Sequence, residues 1–95
     1  MMHVKVRWLH DDPTDPVLLL SELDANRYET RKVQVFADGR TAFASEMLAS
    51  GDTMLADKPF PSAKELSDPQ FEWMDTDADE FERAWSSALR GATKD

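Results

Sequence analysis

The 95-residue sequence has no cysteine, only three glycines, one tyrosine and two histidines. Without cysteine it can form neither a disulfide framework nor a thiolate metal centre, and the expected compartment is a reducing one. Three scattered glycines cannot build a phosphate-cradling loop, and neither a Walker nor a dinucleotide fingerprint occurs. The metalloprotease pattern H-E-x-x-H and the nucleophile-elbow pattern G-x-S-x-G are missing as well. Long apolar runs are also lacking. The stretch Val17 to Leu20 is far too short to cross a bilayer, and Met1 to Arg7 alternates in polarity where a leader would be uniformly apolar. The expectation is a cytoplasmic protein with no membrane attachment.

Positive charge is scarce: 11 Lys and Arg stand against 19 Asp and Glu, for a net charge of −8. The imbalance is uneven. Residues 1–50 carry eight acids and six bases (−2), and residues 51–95 carry eleven acids and five bases (−6). Direct nucleic-acid binding, which needs clustered cations to neutralise phosphates, is not expected. Such a surface favours solubility first and a basic protein partner second.

The chain does hold three Trp and five Phe within a hydrophobic fraction of 41%, enough for one core in a single domain over residues 1–95. Residues 3–9 alternate, with Val4, Val6 and Trp8 opposite His3, Lys5, Arg7 and Leu9, as a half-buried strand does. A proline-bearing loop follows, and then Val17 to Leu23, which fits a buried strand or a short helix; the flanking prolines favour a strand. Residues 28–37 alternate but change apolar face, which predicts a bulge or strong twist. Asp38-Gly39 is a type I′ hairpin signal, returning into residues 40–46. Ser50-Gly51-Asp52 reads as a turn.

Further on, Ser62 and Glu65 form a capping box that predicts a short helix near 62–67, ending before Asp68-Pro69. Phe71, Trp73 and Met74 are extended or irregular. Thr76 or Asp77 then caps a helix whose Phe81, Ala84, Trp85, Ala88 and Leu89 lie on one face, with Arg90 and Gly91 as its stop and 91–95 as a frayed tail. The expected class is α+β: an antiparallel sheet of about four strands closed by the C-terminal amphipathic helix.

Three groups of residues have functional potential. His10, Asp11 and Asp12, with Asp15 nearby, pair an imidazole with carboxylates on one loop, which suits a divalent cation or a general base. The competing reading is a turn whose Asp side chains cap local N–H groups, and no metal or cofactor is expected there. Arg31, with Arg27 and Lys32 among Glu22, Asp24 and Glu29, is suited to carboxylate or phosphate recognition, or equally to cross-strand ion pairs. Glu72, Asp75, Asp77 and Asp79 can form a negative strip facing a basic cleft, although some of this charge is ordinary helix capping.

The strings Trp8-Leu9-His10-Asp11, Pro16 to Asp24, Arg27-Tyr28-Glu29, Arg31-Lys32-Val33 and Phe36 to Gly39 resemble a family of small bacterial proteins built around a domain of unknown function. The similarity is good through residue 46 and continues loosely to Glu80-Phe81-Glu82 and Trp85. Where the pattern expects an aromatic residue before Ser21, Leu20 stands instead. The resemblance implies a bacterial or phage origin and a small stand-alone domain, and it implies no activity. The expected function is an acidic protein-binding module, such as an immunity-like or defence-associated inhibitor of a basic partner; the sequence offers no catalytic constellation but leaves enzyme activity open. The alternatives are a small ligand-binding or metal-dependent enzyme domain using the His10-Asp11-Asp12 loop, and a structural module that forms homodimers.

Overall fold

The alternating segments do become strands. In the computed structural model, which describes residues 1–50 and 53–93, those segments give β1 (Met2–Trp8) and β3 (Glu29–Val35), the apolar run gives β2 (Leu18–Leu23), and β4 (Thr41–Ser45), β5 (Phe71–Met74) and one helix, α1 (Ala78–Thr93), follow. All neighbours are antiparallel, in the order β4-β3-β2-β1-β5. The sheet therefore has five strands, one more than expected, because Phe71 to Met74 pairs along β1 as an edge strand. Gly51 and Asp52 of the expected turn, and Lys94 and Asp95 of the expected tail, lie outside the described residues.

The register assigns the faces. Lys5, Leu20, Val33 and Phe43 share one row across the sheet, and α1 packs on that side. Its Phe81, Trp85 and Ala88 close a core with Leu20, Val33 and Phe43, as the spacing of its apolar residues requires. The helix thus lies over the face that carries His3, Lys5 and Arg7, the polar set of β1. The apolar set, Val4 and Val6 with Leu23, lies on the reverse face, where Val6 and Leu23 are 0% exposed. Residues 53–70 cover that reverse face. Trp73 Nε1 donates to Leu66 O at 3.1 Å, Phe60 meets Trp73 edge-on at 6.0 Å, and the Ala56 N–H donates to Glu29 Oε1 at 2.8 Å.

Two hairpins share one geometry. At 36–40, Phe36 N donates to Arg40 O and Gly39 N to Phe36 O, both at 2.9 Å, with Gly39 at φ +91°. Asp38 keeps a negative φ, so this is a type I turn followed by a left-handed residue and not the expected type I′ turn. At 24–28, Asp24 N donates to Tyr28 O and Arg27 N to Asp24 O, again at 2.9 Å. Here the left-handed position is Arg27, at φ +67°. The expected bulge is also present: the β2–β3 register shifts between Glu22 and Leu23, leaving Thr30 as the extra residue.

Two boundaries differ from expectation. The capping box is made, with Ser62 N donating to Glu65 Oε1 at 3.0 Å and Glu65 N to Ser62 Oγ at 3.2 Å. Only one turn follows it, closed by Leu66 N to Ser62 O at 2.9 Å, because Asp68-Pro69 leaves no room to recover the cost of helix nucleation. At the other end α1 runs through Gly91 to Thr93. Gly91 keeps a negative φ and supplies no left-handed cap; it lies against Thr41 of β4.

Candidate functional site

Glu22 sits in phase with Leu18 and Leu20 on β2, so alternation carries its carboxylate beneath α1, where it is 8% exposed. A buried carboxylate is tolerated only if its charge and lone pairs are satisfied. Arg31, its cross-strand partner, donates Nε to Oε1 at 2.9 Å and Nη2 to Oε2 at 2.7 Å. Thr30 Oγ1, displaced inward by the bulge, donates to Oε1 at 2.8 Å, and His3 Nε2 donates to Oε2 at 3.2 Å. These donors, Arg31 foremost, hold the Glu22 carboxyl down at about 2. The guanidinium also reaches Glu82 of α1 and lies over the rings of Phe81 and Trp85, at 4.9 and 5.2 Å. Among the described residues no buried side-chain polar atom lacks a partner. This cluster is a fastener between sheet and helix, in which the Glu22 carboxylate is filled by donors of the fold itself.

Arg31 is therefore committed to carboxylates within the fold; Lys32 is also paired, but within its own strand, its Nζ lying 3.4 Å from Oε1 of Glu29 three residues earlier on β3. The His10 loop is at the opposite end of β2. His10 Nε2 donates to Pro16 O at 2.8 Å, and its Nδ1 accepts the Asp12 N–H at 3.0 Å. That pattern fixes the neutral Nε2–H tautomer and occupies both ring nitrogens. Asp12 Oδ1 accepts from Thr14 N at 2.9 Å and Thr14 Oγ1 at 2.7 Å, bonds that lower its pKa. Asp11 is exposed. The loop is thus a capped turn, and among the described residues no three His, Asp or Glu side chains converge as metal ligands.

The acidic strip falls at the junction of β5 and α1 and divides by task. Asp77 is the N-cap, its Oδ1 accepting from Glu80 N at 2.8 Å. Glu80 binds Lys5 Nζ at 2.7 Å and accepts from Thr76 Oγ1 at 2.6 Å; the lysine holds its pKa down. Glu72 faces Arg7 at 3.4 Å, with both side chains more than half exposed. Asp75 and Asp79 are exposed and make neither an ion pair nor a side-chain hydrogen bond within the described residues. Sequence reasoning had grouped these residues but did not single out Glu22, His3 or Glu82. The legible signal was a carboxylate in phase with the apolar face of a strand.

Residues 2–90 match the model of a family described as Domain of unknown function (DUF6881). No curated protein and no solved structure shows a match. Among the described residues, no helix is long and apolar enough to cross a membrane.

Proposed function

The chain belongs to this family of domains of unknown function, and we propose that it acts as a protein-binding module that docks a basic partner through the β5–α1 junction, as an immunity-type inhibitor would. One observation supports the reading. Asp77, Glu80 and Glu82 are spent on capping and on the sheet, while Asp75 and Asp79 project from the same junction with no cation of their own among the described residues. Exposed carboxylates left unneutralised raise the association rate with a basic surface and select against acidic ones. Glu72 extends this surface along the sheet edge, since its exposed contact with Arg7 is readily exchanged.

The test is a binding measurement against the product of the adjacent gene, with wild type and a D75N/D79N double variant. Weakened, salt-sensitive binding of the variant supports the surface. Unchanged binding removes it.

A further inference from the structure

Helix α1 crosses the sheet obliquely. Near its start Glu80 holds Lys5 of β1, and near its end Gly91 lies against Thr41 of β4. One corner of the same sheet face is left outside its cover: the end of β1, the start of β2 and the end of β3. A groove of about 500 Å³ lies there, within the size range of small-ligand sites. Leu18, Val35 and Met74 line it as neighbours on that face, and Leu9, 50% exposed, and the His10 ring extend its wall.

The charged side chains that line this corner are cations, each paired with a carboxylate outside the lining. The lining includes Lys5 and Arg7 and no Asp or Glu, in a protein with 19 acids and 11 bases. The two cations differ in availability. Lys5 is bound to Glu80 at 2.7 Å with its side chain 16% exposed, whereas Arg7 is 52% exposed and meets Glu72 only at 3.4 Å. An exposed pair of that kind contributes little, so Arg7 can present its planar fork to another carboxylate. His10 contributes a fixed, neutral ring edge, since both its nitrogens are bonded to the loop.

We propose that this groove binds a small amphipathic carboxylate, with its apolar body on Leu18, Val35 and Met74 and its carboxylate on Arg7. The groove borders the acidic surface at the Arg7–Glu72 pair, but Asp75 and Asp79, on which the partner-binding reading rests, are not part of its lining. The test is an NMR titration of methyl- and ¹⁵N-labelled protein with phenylbutyrate and with its neutral counterpart, phenylbutanol. The acid should give saturable shifts at the Leu18, Val35 and Met74 methyls and at the Arg7 side chain. Arg7→Gln, at an exposed position, should retain the fold and weaken the acid about tenfold while leaving the alcohol unchanged, because a hydrogen bond to a charged group is lost. Equal affinity for acid and alcohol in the wild type overturns anion recognition by Arg7. Shifts centred elsewhere, or none that saturate, overturn the groove. The D75N/D79N variant should bind phenylbutyrate as wild type does, which separates failure here from failure of the partner-binding surface.

Discussion

Arg31 and Glu22 are joined by two parallel hydrogen bonds across β2 and β3, at 2.9 and 2.7 Å, directly beneath the helix. The same guanidinium holds Glu82 of α1 and is covered by Phe81 and Trp85, so one side chain links sheet, helix and core. Charged groups buried this way do not imply net stabilisation over an apolar replacement, and Arg31 keeps Glu82 when Glu22 is removed. Replacing Glu22 with Ala should therefore cost about 1.5–3 kcal/mol of unfolding free energy, the worth of a charged hydrogen-bond acceptor lost to Arg31, Thr30 and His3, measured by urea denaturation.

The same pair sets the acid response. The Glu22 carboxyl is held at about 2 in the fold, against 4.5 for a free glutamate. A depressed carboxylate contributes stability that is fully present above its unfolded value and is lost as the pH falls towards its folded value. The urea midpoint should accordingly fall as pH drops from about 4.5 to about 2. Glu22→Gln should flatten that dependence. An unaltered pH profile in the variant would show that other carboxylates carry the acid sensitivity.

The β5–α1 junction should separate structural from surface acids. Asp77→Ala removes the N-cap and should cost about 1 kcal/mol. Asp75→Asn and Asp79→Asn should each stay within about 0.5 kcal/mol of wild type. Thermal unfolding of the three variants checks this, and the two silent ones are then clean reagents for binding experiments.

Arg27 occupies a backbone conformation that its counterpart hairpin gives to Gly39. Left-handed φ costs a side-chain-bearing residue about 1–2 kcal/mol. The cost is offset by anchorage: Nε and Nη2 donate to Phe60 O and Pro61 O at 3.0 and 2.9 Å, and Arg27 O accepts from Phe60 N at 2.7 Å. Arg27→Ala keeps the strain and loses the side-chain anchors, whereas Arg27→Gly loses the anchors and the strain together. The glycine variant should be the more stable of the two by about 1 kcal/mol, by chemical denaturation. In both, amide exchange around Phe60 should quicken.

His10 should be observed in one neutral tautomer, with the proton on Nε2, in long-range ¹H–¹⁵N spectra at neutral pH. Its partners, Pro16 O and the Asp12 N–H, admit no other arrangement. Zinc or chelator should leave its resonances and the unfolding midpoint in place. A zinc-induced shift confined to His10 would reopen the loop as a metal site.

The elements legible in the sequence were those with several periods of pattern. The 3.6-residue spacing from Phe81 to Leu89 identified α1 and its buried face, and the alternation of Val4, Val6 and Trp8 identified β1. Which side of β1 the helix covers was not legible, because both sides are covered, one by α1 and the other by residues 53–70. The four residues of β5 offer too little alternation to distinguish a strand from an irregular segment. In the 62–67 segment the local capping signal was real, and the downstream proline decided how little helix could follow. The acidic strip was legible as composition. Its division into capping, pairing and unpaired carboxylates required the positions of Lys5, Arg7 and Arg31, all distant in sequence.

The contact between Lys5 and Glu80 joins groups 75 residues apart in the chain. In vectorial synthesis, all four strands from β1 to β4 emerge before the helix that seals them. Leu20, Val33 and Phe43 then face solvent, or a chaperone, until Phe81 and Trp85 arrive. The nascent chain is most exposed to aggregation in that interval, so interruptions of translation upstream of residue 78 should yield insoluble fragments.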